Sequence, residues 1–250
     1  MDVLDQMQLF RRSADDAEPP VTTKDARLSS RPFAFTMSDA IVRVRPFDTQ
    51  YRDGPLVWEL LDLVHAQIEM VNRGVLVRGG MTIGKAYVGY SGRGPVFGPA
   101  VAHAYEIETN EAVYPRIVVD DRLIDELRTD PRLWREGHNF EDEMAAIDEL
   151  LAIGDDGTRF IDYLSQSGEF DDPIFYLEFL QRHAALIRAG RKAVPERDRK
   201  TRRKYEWLAR YHNTRVLDLK TKTLSSPEHI EAFIAEFEVD PETFYSEIVV

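Results

Sequence analysis

Two aspartates and two arginines are the residues whose types and settings best suit chemistry. Asp39 follows Ser38 between two short β-type runs, residues 33–36 and 40–44, which reads as a hairpin with Asp39 at its tip. Asp2 belongs to an apolar amino-terminal segment, MDVLDQMQLF at 1–10. If that segment pairs beside the hairpin, the two carboxylates meet on neighbouring strands. Oxygen donors so placed suit Mg²⁺ or Mn²⁺ held against a phosphorylated substrate. Arg78 sits beside Gly79-Gly80 at the end of an apolar run, and Arg116 follows Pro115 at the start of another. Either could grip phosphate with a bidentate fork. The more ordinary readings are a turn aspartate and surface salt bridges. His103, His183 and His212 lack zinc spacing and read as core or surface residues. No phosphate-binding P-loop, Ser-His-Asp set or dinucleotide fingerprint is present.

Elements must position these groups. Residues 55–73 repeat Val57, Leu60, Leu61, Val64, Ile68 and Val71 at helical spacing and end at Asn72-Arg73-Gly74. Apolar segments 75–77 and 81–88 flank the glycines and predict a second hairpin. Gly79, Gly80 and Gly84 mark backbone that bends or approaches something closely. Residues 98–112 predict a helix and 116–120 a strand. The order strand, strand, helix, strand, strand, helix, strand predicts an α+β sheet with helices on one side.

From Asp121 onward the pattern predicts almost only helix: 121–128, 140–153, 172–190, 194–211 and 227–237. Ile174, Leu177, Leu180, Ala184 and Ile187 form a stripe. The organisation expected is a core at 1–120, containing a mobile loop at 11–31, and a helical extension at 121–250. Residues 188–204, RAGRKAVPERDRKTRRK, are strongly basic, which on a helix usually means a solvated face.

Composition sets limits. The chain has 250 residues, 43% hydrophobic, enough for a sizeable core, and its 44 acidic against 32 basic residues give a net charge of −12. That balance argues against a general nucleic-acid binder. There is no Cys, which excludes disulfide and thiolate chemistry. With no long apolar run and no signal-peptide pattern, a soluble cytoplasmic protein is expected, without membrane partners.

The hairpin with Ser38-Asp39, the run VRGGMTIG at 77–84, FGPA at 97–100, AYEIE at 104–108 and PRIV at 115–118 resemble class III nucleotidyl cyclases. More narrowly they resemble the bacterial pyrimidine cyclases of the Pycsar anti-phage system, and KYEWLARYHN at 204–213 fits the same family. The resemblance covers about residues 33–215. It implies a cyclase-type sheet with helices, a head-to-tail homodimer with active sites at its interface, and two Mn²⁺ or Mg²⁺ ions per site. Asp39 matches the second metal aspartate. Asp2 is the best match to the first, with the backbone carbonyl of Val3 beside it. Arg78 matches an arginine that contacts the β-phosphate, and Arg116 is assigned to a phosphate or transition-state contact.

The implied substrate is a pyrimidine triphosphate, UTP ahead of CTP. The product would be a cyclic mononucleotide that signals to an effector. Three departures stand out. The strand ahead of the first aspartate is missing, which implies either a true start upstream of Met1 or an unusual member, and Asp5-Gln6 replace a Gly-Phe pair. Ala102 and Glu106 occupy positions where purine cyclases carry Asn and Arg. Pro95 replaces a residue that reads the purine base, so the pattern favours the pyrimidine branch. The alternative is a degenerate cyclase fold that binds nucleotide without turnover.

Overall fold

The structure, a computed structural model, describes residues 30, 32–37, 40–49, 52–89 and 95–250. It is α+β, and it divides into two compact units, Met1–Tyr163 and Leu164–Val250.

The first unit opens with strands β1 (Phe33–Met37) and β2 (Ala40–Val44), paired antiparallel with Met37 opposite Ala40. This is the hairpin that the β-type runs predict. Helix α1 (Pro55–Asn72) follows. Proline suits its first turn, where an N–H would have no helical partner. Leu60, Val64 and Met70 are fully buried along its apolar stripe. Glu59 and Asp62 of the same helix meet the hairpin. Arg43 Nε lies 2.7 Å from Glu59, and Arg45 Nη2 lies 2.6 Å from Asp62. Three of these four side chains are at most 10% exposed. Charges this buried are tolerated because they are paired and hydrogen-bonded.

Strand β3 (Gly79–Met81) does not form the predicted hairpin with the residues after it. It pairs in parallel with β6 (Ile117–Val119). The short strands between them, β4 (Tyr87–Val88) and β5 (Val96–Phe97), pair with each other instead. Helix α2 (Pro99–Asn110) completes the crossover. A parallel pair needs such a connection, because a tight turn can only reverse the chain.

Helix α3 (Asp121–Thr129) agrees with its predicted span. The expected helix at 140–153 does not hold throughout. Helix α4 covers Phe140–Asp148, and Leu151–Ile153 is strand β7, followed by β8 (Arg159–Ile161). Short apolar runs fit strand and buried helix equally well by periodicity. The pairing partner decides, and here β8 supplies it. The sheet order is β3-β6-β8-β7. Strands β7 and β8 complete this sheet, so residues 121–163 fall in the first unit, and the boundary lies at 163/164 rather than at 120.

Glycine at 80 lets β3 meet α2. A Cβ there would lie 2.5 Å from the Ala104 carbonyl oxygen and 2.7 Å from the Ile107 Cβ. Gly98, at φ 138°, starts α2 where a Cβ would meet the Lys85 carbonyl oxygen at 2.8 Å. Gly79 is different: its Cβ would make only ordinary contact with Ile117. Gly80→Val is therefore expected to destabilise the first unit by about 2–3 kcal/mol, because backbone must move to admit the side chain. Urea denaturation of parent and variant checks this. A change below about 0.5 kcal/mol would show that β3 and α2 part without strain.

The second unit is helical: α5 (Pro173–Ala193), α6 (Arg199–Thr223), α7 (Pro227–Phe237) and α8 (Pro241–Ile248). Helix α6 starts later and runs further than the predicted 194–211. The α5 stripe holds at Leu177, Leu180, Ala184 and Ile187, which are buried, while Ile174 is 41% exposed. Helices α5 and α6 pack against each other. Trp207, Leu208, Ala209 and His212 of KYEWLARYHN are buried, so this motif supplies core to the second unit. Its last residues also hold the chain end. Asn213 exchanges two hydrogen bonds with the Val250 backbone, at 2.7 and 2.8 Å. No described helix is long and apolar enough to cross a membrane.

Candidate functional site

The parallel strands β3 and β6 end together, and polar side chains gather just past their carboxyl ends. Asp120 follows β6 and caps α3, with its Oδ1 accepting from the Arg122 backbone N–H at 3.1 Å. Its Oδ2 accepts from the Thr82 hydroxyl, just beyond β3, at 2.5 Å. His103 Nε2, from α2, lies 3.0 Å from the same oxygen. Partial burial pushes the Asp120 carboxyl up. The bonds from Thr82, Arg122 and His103, with the His103 charge, more than offset that, so its pKa lies below the ordinary aspartate value. Asp120 is thus held as an anion beside a partly exposed imidazole.

Sequence reasoning passed over this trio. Only weak signals mark it: an aspartate directly after an apolar strand, and a histidine one turn into a helix that starts at Gly98-Pro99. Ala102 and Glu106, which the resemblance sets against the purine-type contacts, are both exposed on α2, and Glu106 Oε2 lies 3.4 Å from His103 Nδ1.

Arg78, directly ahead of β3, is 41% exposed along its side chain. Its Nη2 pairs with Glu108 Oε1 at 2.8 Å, and its Nη1 donates to the Glu108 and Ala112 carbonyl oxygens at 3.2 and 3.4 Å. It reaches solvent, but it would have to leave Glu108 to grip a phosphate.

Arg116 is placed otherwise. It is 1% exposed, with Nη2 2.5 Å and Nη1 3.2 Å from the Asp156 carboxylate oxygens. The guanidinium carbon lies 5.4 Å from the ring centres of Tyr114 and Phe160. The Arg116 hydrogen bond is the main reason the Asp156 carboxyl lies below its ordinary pKa. This guanidinium ties the β7–β8 turn to the start of β6, and its charge is already matched.

Asp2, Val3 and Asp39 lie outside the described residues, as do Asp5 and Gln6. Among the described residues, no group of three or more His, Cys, Asp or Glu is arranged to hold a metal ion. The donor set that the resemblance names for the ions consists of carboxylate and carbonyl oxygens. In kind, that set suits Mg²⁺ and Mn²⁺.

On β4 and β5, Tyr87 and Phe97 stack with ring centres 4.7 Å apart, and both are more than half exposed, as is Tyr105 on α2. No protein-family model, curated protein or solved structure matches the chain.

Proposed function

We propose that this chain is a pyrimidine nucleotide cyclase that converts UTP to 3',5'-cyclic UMP and diphosphate, as a second messenger in bacterial anti-phage defence. The supporting observation is the meeting of two family-like runs at Gly80. VRGGMTIG provides the strand, FGPA through AYEIE provides the helix, and the absence of a side chain at Gly80 lets them touch. Asp2, the Val3 carbonyl and Asp39 would hold the divalent ions. Such ions supply neutralisation of the triphosphate and of the ribose oxygen. In the reaction the 3'-hydroxyl gives up its proton to water as its oxygen forms a bond to the α-phosphorus, the bond from that phosphorus to the bridging oxygen breaks, and diphosphate leaves. Arg78, released from Glu108, neutralises charge on the β-phosphate. The exposed Tyr87–Phe97 stack and Tyr105 provide apolar surface for a second copy of the chain.

CTP in place of UTP is the same chemistry with a different base. A second reading, a nucleotide-binding regulator without turnover, draws on Arg116, whose buried pairing with Asp156 withdraws one of the two arginines from phosphate contact.

Incubation of the purified chain with Mn²⁺ and each of the four nucleoside triphosphates tests both readings. One cyclic pyrimidine mononucleotide is expected, and no cyclic purine. Saturable binding of a pyrimidine triphosphate with no cyclic product would replace the cyclase with the regulator.

A further inference from the structure

The basic run that composition set aside lies at the turn between α5 and α6. Residues 188–204 carry nine Arg or Lys against Glu196 and Asp198, a local charge of +7. The whole chain carries −12, so the remainder carries −19, the difference of the two. Arg191 and Lys192 end α5, while Arg199, Lys200, Arg202 and Arg203 begin α6. All six are exposed, and none makes an ion pair or a side-chain hydrogen bond among the described residues.

Their placement opposes folding. Asp198 caps α6, but its first turn contains no acid. Cations there face the positive end of the helix dipole as well as one another. Arg199, Arg202 and Arg203, at i, i+3 and i+4, share a face with Cβ atoms about 5–6 Å apart. The turn is nonetheless closely built: a Cβ on Gly190 would overlap the Tyr205 ring. The cations are therefore displayed on a packed pair of helices.

We propose that the α5–α6 turn binds the phosphate backbone of duplex nucleic acid, without reading sequence. Most of these cations are arginines, whose planar forks match phosphate oxygens. No large apolar side chain is exposed between 188 and 204. A membrane-inserting surface needs one, a protein interface needs an anchor of that kind, and a single-strand site needs exposed aromatics for base stacking. Phosphate binding needs only the charges. The chain's net acidity argued against nucleic acid; this one surface has the opposite sign.

Fluorescence anisotropy of the full chain with a labelled duplex of about 20 base pairs tests the proposal. Binding is expected at 50 mM NaCl, weakening roughly 100-fold by 200 mM if about four phosphates are contacted. Arg199→Gln/Lys200→Gln/Arg202→Gln/Arg203→Gln should bind at least tenfold more weakly, with a shallower salt dependence. It should melt no lower than the parent, since it removes like charges from a helix start. Arg191→Gln/Lys192→Gln, on the other helix, should weaken binding severalfold. Three results would each overturn the proposal: no duplex binding at 50 mM, unchanged affinity in both variants, or equal or tighter binding to phosphatidylserine vesicles or polyglutamate.

Discussion

Asp39→Ala is expected to lower the rate of cyclic nucleotide formation at least 1000-fold while leaving the fold intact. In the proposed site two ions would stabilise both the attacking and the leaving oxygen, and loss of one carboxylate donor would remove several kcal/mol of that stabilisation. About 4 kcal/mol corresponds to a thousandfold in rate. The fold should tolerate the change because its supports lie on either side. Strands β1 and β2 pair over five positions, and Arg43 and Arg45 bind the hairpin to Glu59 and Asp62 of α1. None of these interactions uses the Asp39 side chain. Product formation from UTP with Mn²⁺, beside circular dichroism of both proteins, measures the two halves of the expectation. Retention of more than a tenth of the parent rate would remove Asp39 from the site, whatever became of the cyclase reading.

Acid should loosen the helical unit before most carboxylates titrate. His183 and His212 are both fully buried, with their Nδ1 atoms 3.1 Å apart. His212 Nε2 lies 3.0 Å from the Ile248 carbonyl oxygen, which can only accept, so that nitrogen carries the proton. In the neutral pair, His212 Nδ1 is then the acceptor and His183 Nδ1–H the donor. Burial is the chief cause of a lowered pKa at both. The second His lowers His183 further; at His212 the Ile248 bond pulls the other way, and the Arg188 charge, a smaller effect, adds to the lowering.

His212 falls to about 4 from an ordinary 6.5. As pH drops below 6.5 the unfolded chain takes up a proton that the folded chain refuses, so stability falls until the folded value is reached. Between pH 7.5 and 5, His212 alone should account for a loss of about 2 kcal/mol, with His183 acting in the same direction. Hydrogen exchange of peptides from α5 and α6 across that range reads the effect locally. His183→Met/His212→Gln, in which glutamine can still donate to Ile248, should flatten the dependence. An equally steep dependence in that variant would place its origin elsewhere.

What could be read along the chain was what depends on neighbours along the chain. The helical stripe at Leu177, Leu180, Ala184 and Ile187 marks a buried face whatever lies opposite it, because its period is intrinsic to the helix. The β1–β2 hairpin was legible for a similar reason: its two strands are adjacent. Gly80 announced a close approach but not its partner, and the partner proved to be α2. Arg78 was legible as a cation beside Gly79-Gly80, although the strand expected at 75–77 does not form, whereas the Thr82–His103–Asp120 trio was not legible, since its members are up to 38 residues apart.

Tertiary structure alone decided the rest. It paired β3 with β6, made strands of 151–153 and 159–161, and drew Arg116 onto Asp156, 40 residues away. It likewise set His183 against His212 and gathered the cations of α5 and α6 at one turn. Residue type determines what a side chain is able to bond. Which partner it meets is set by the packing of distant elements, and that packing carries no signature within a short window of sequence.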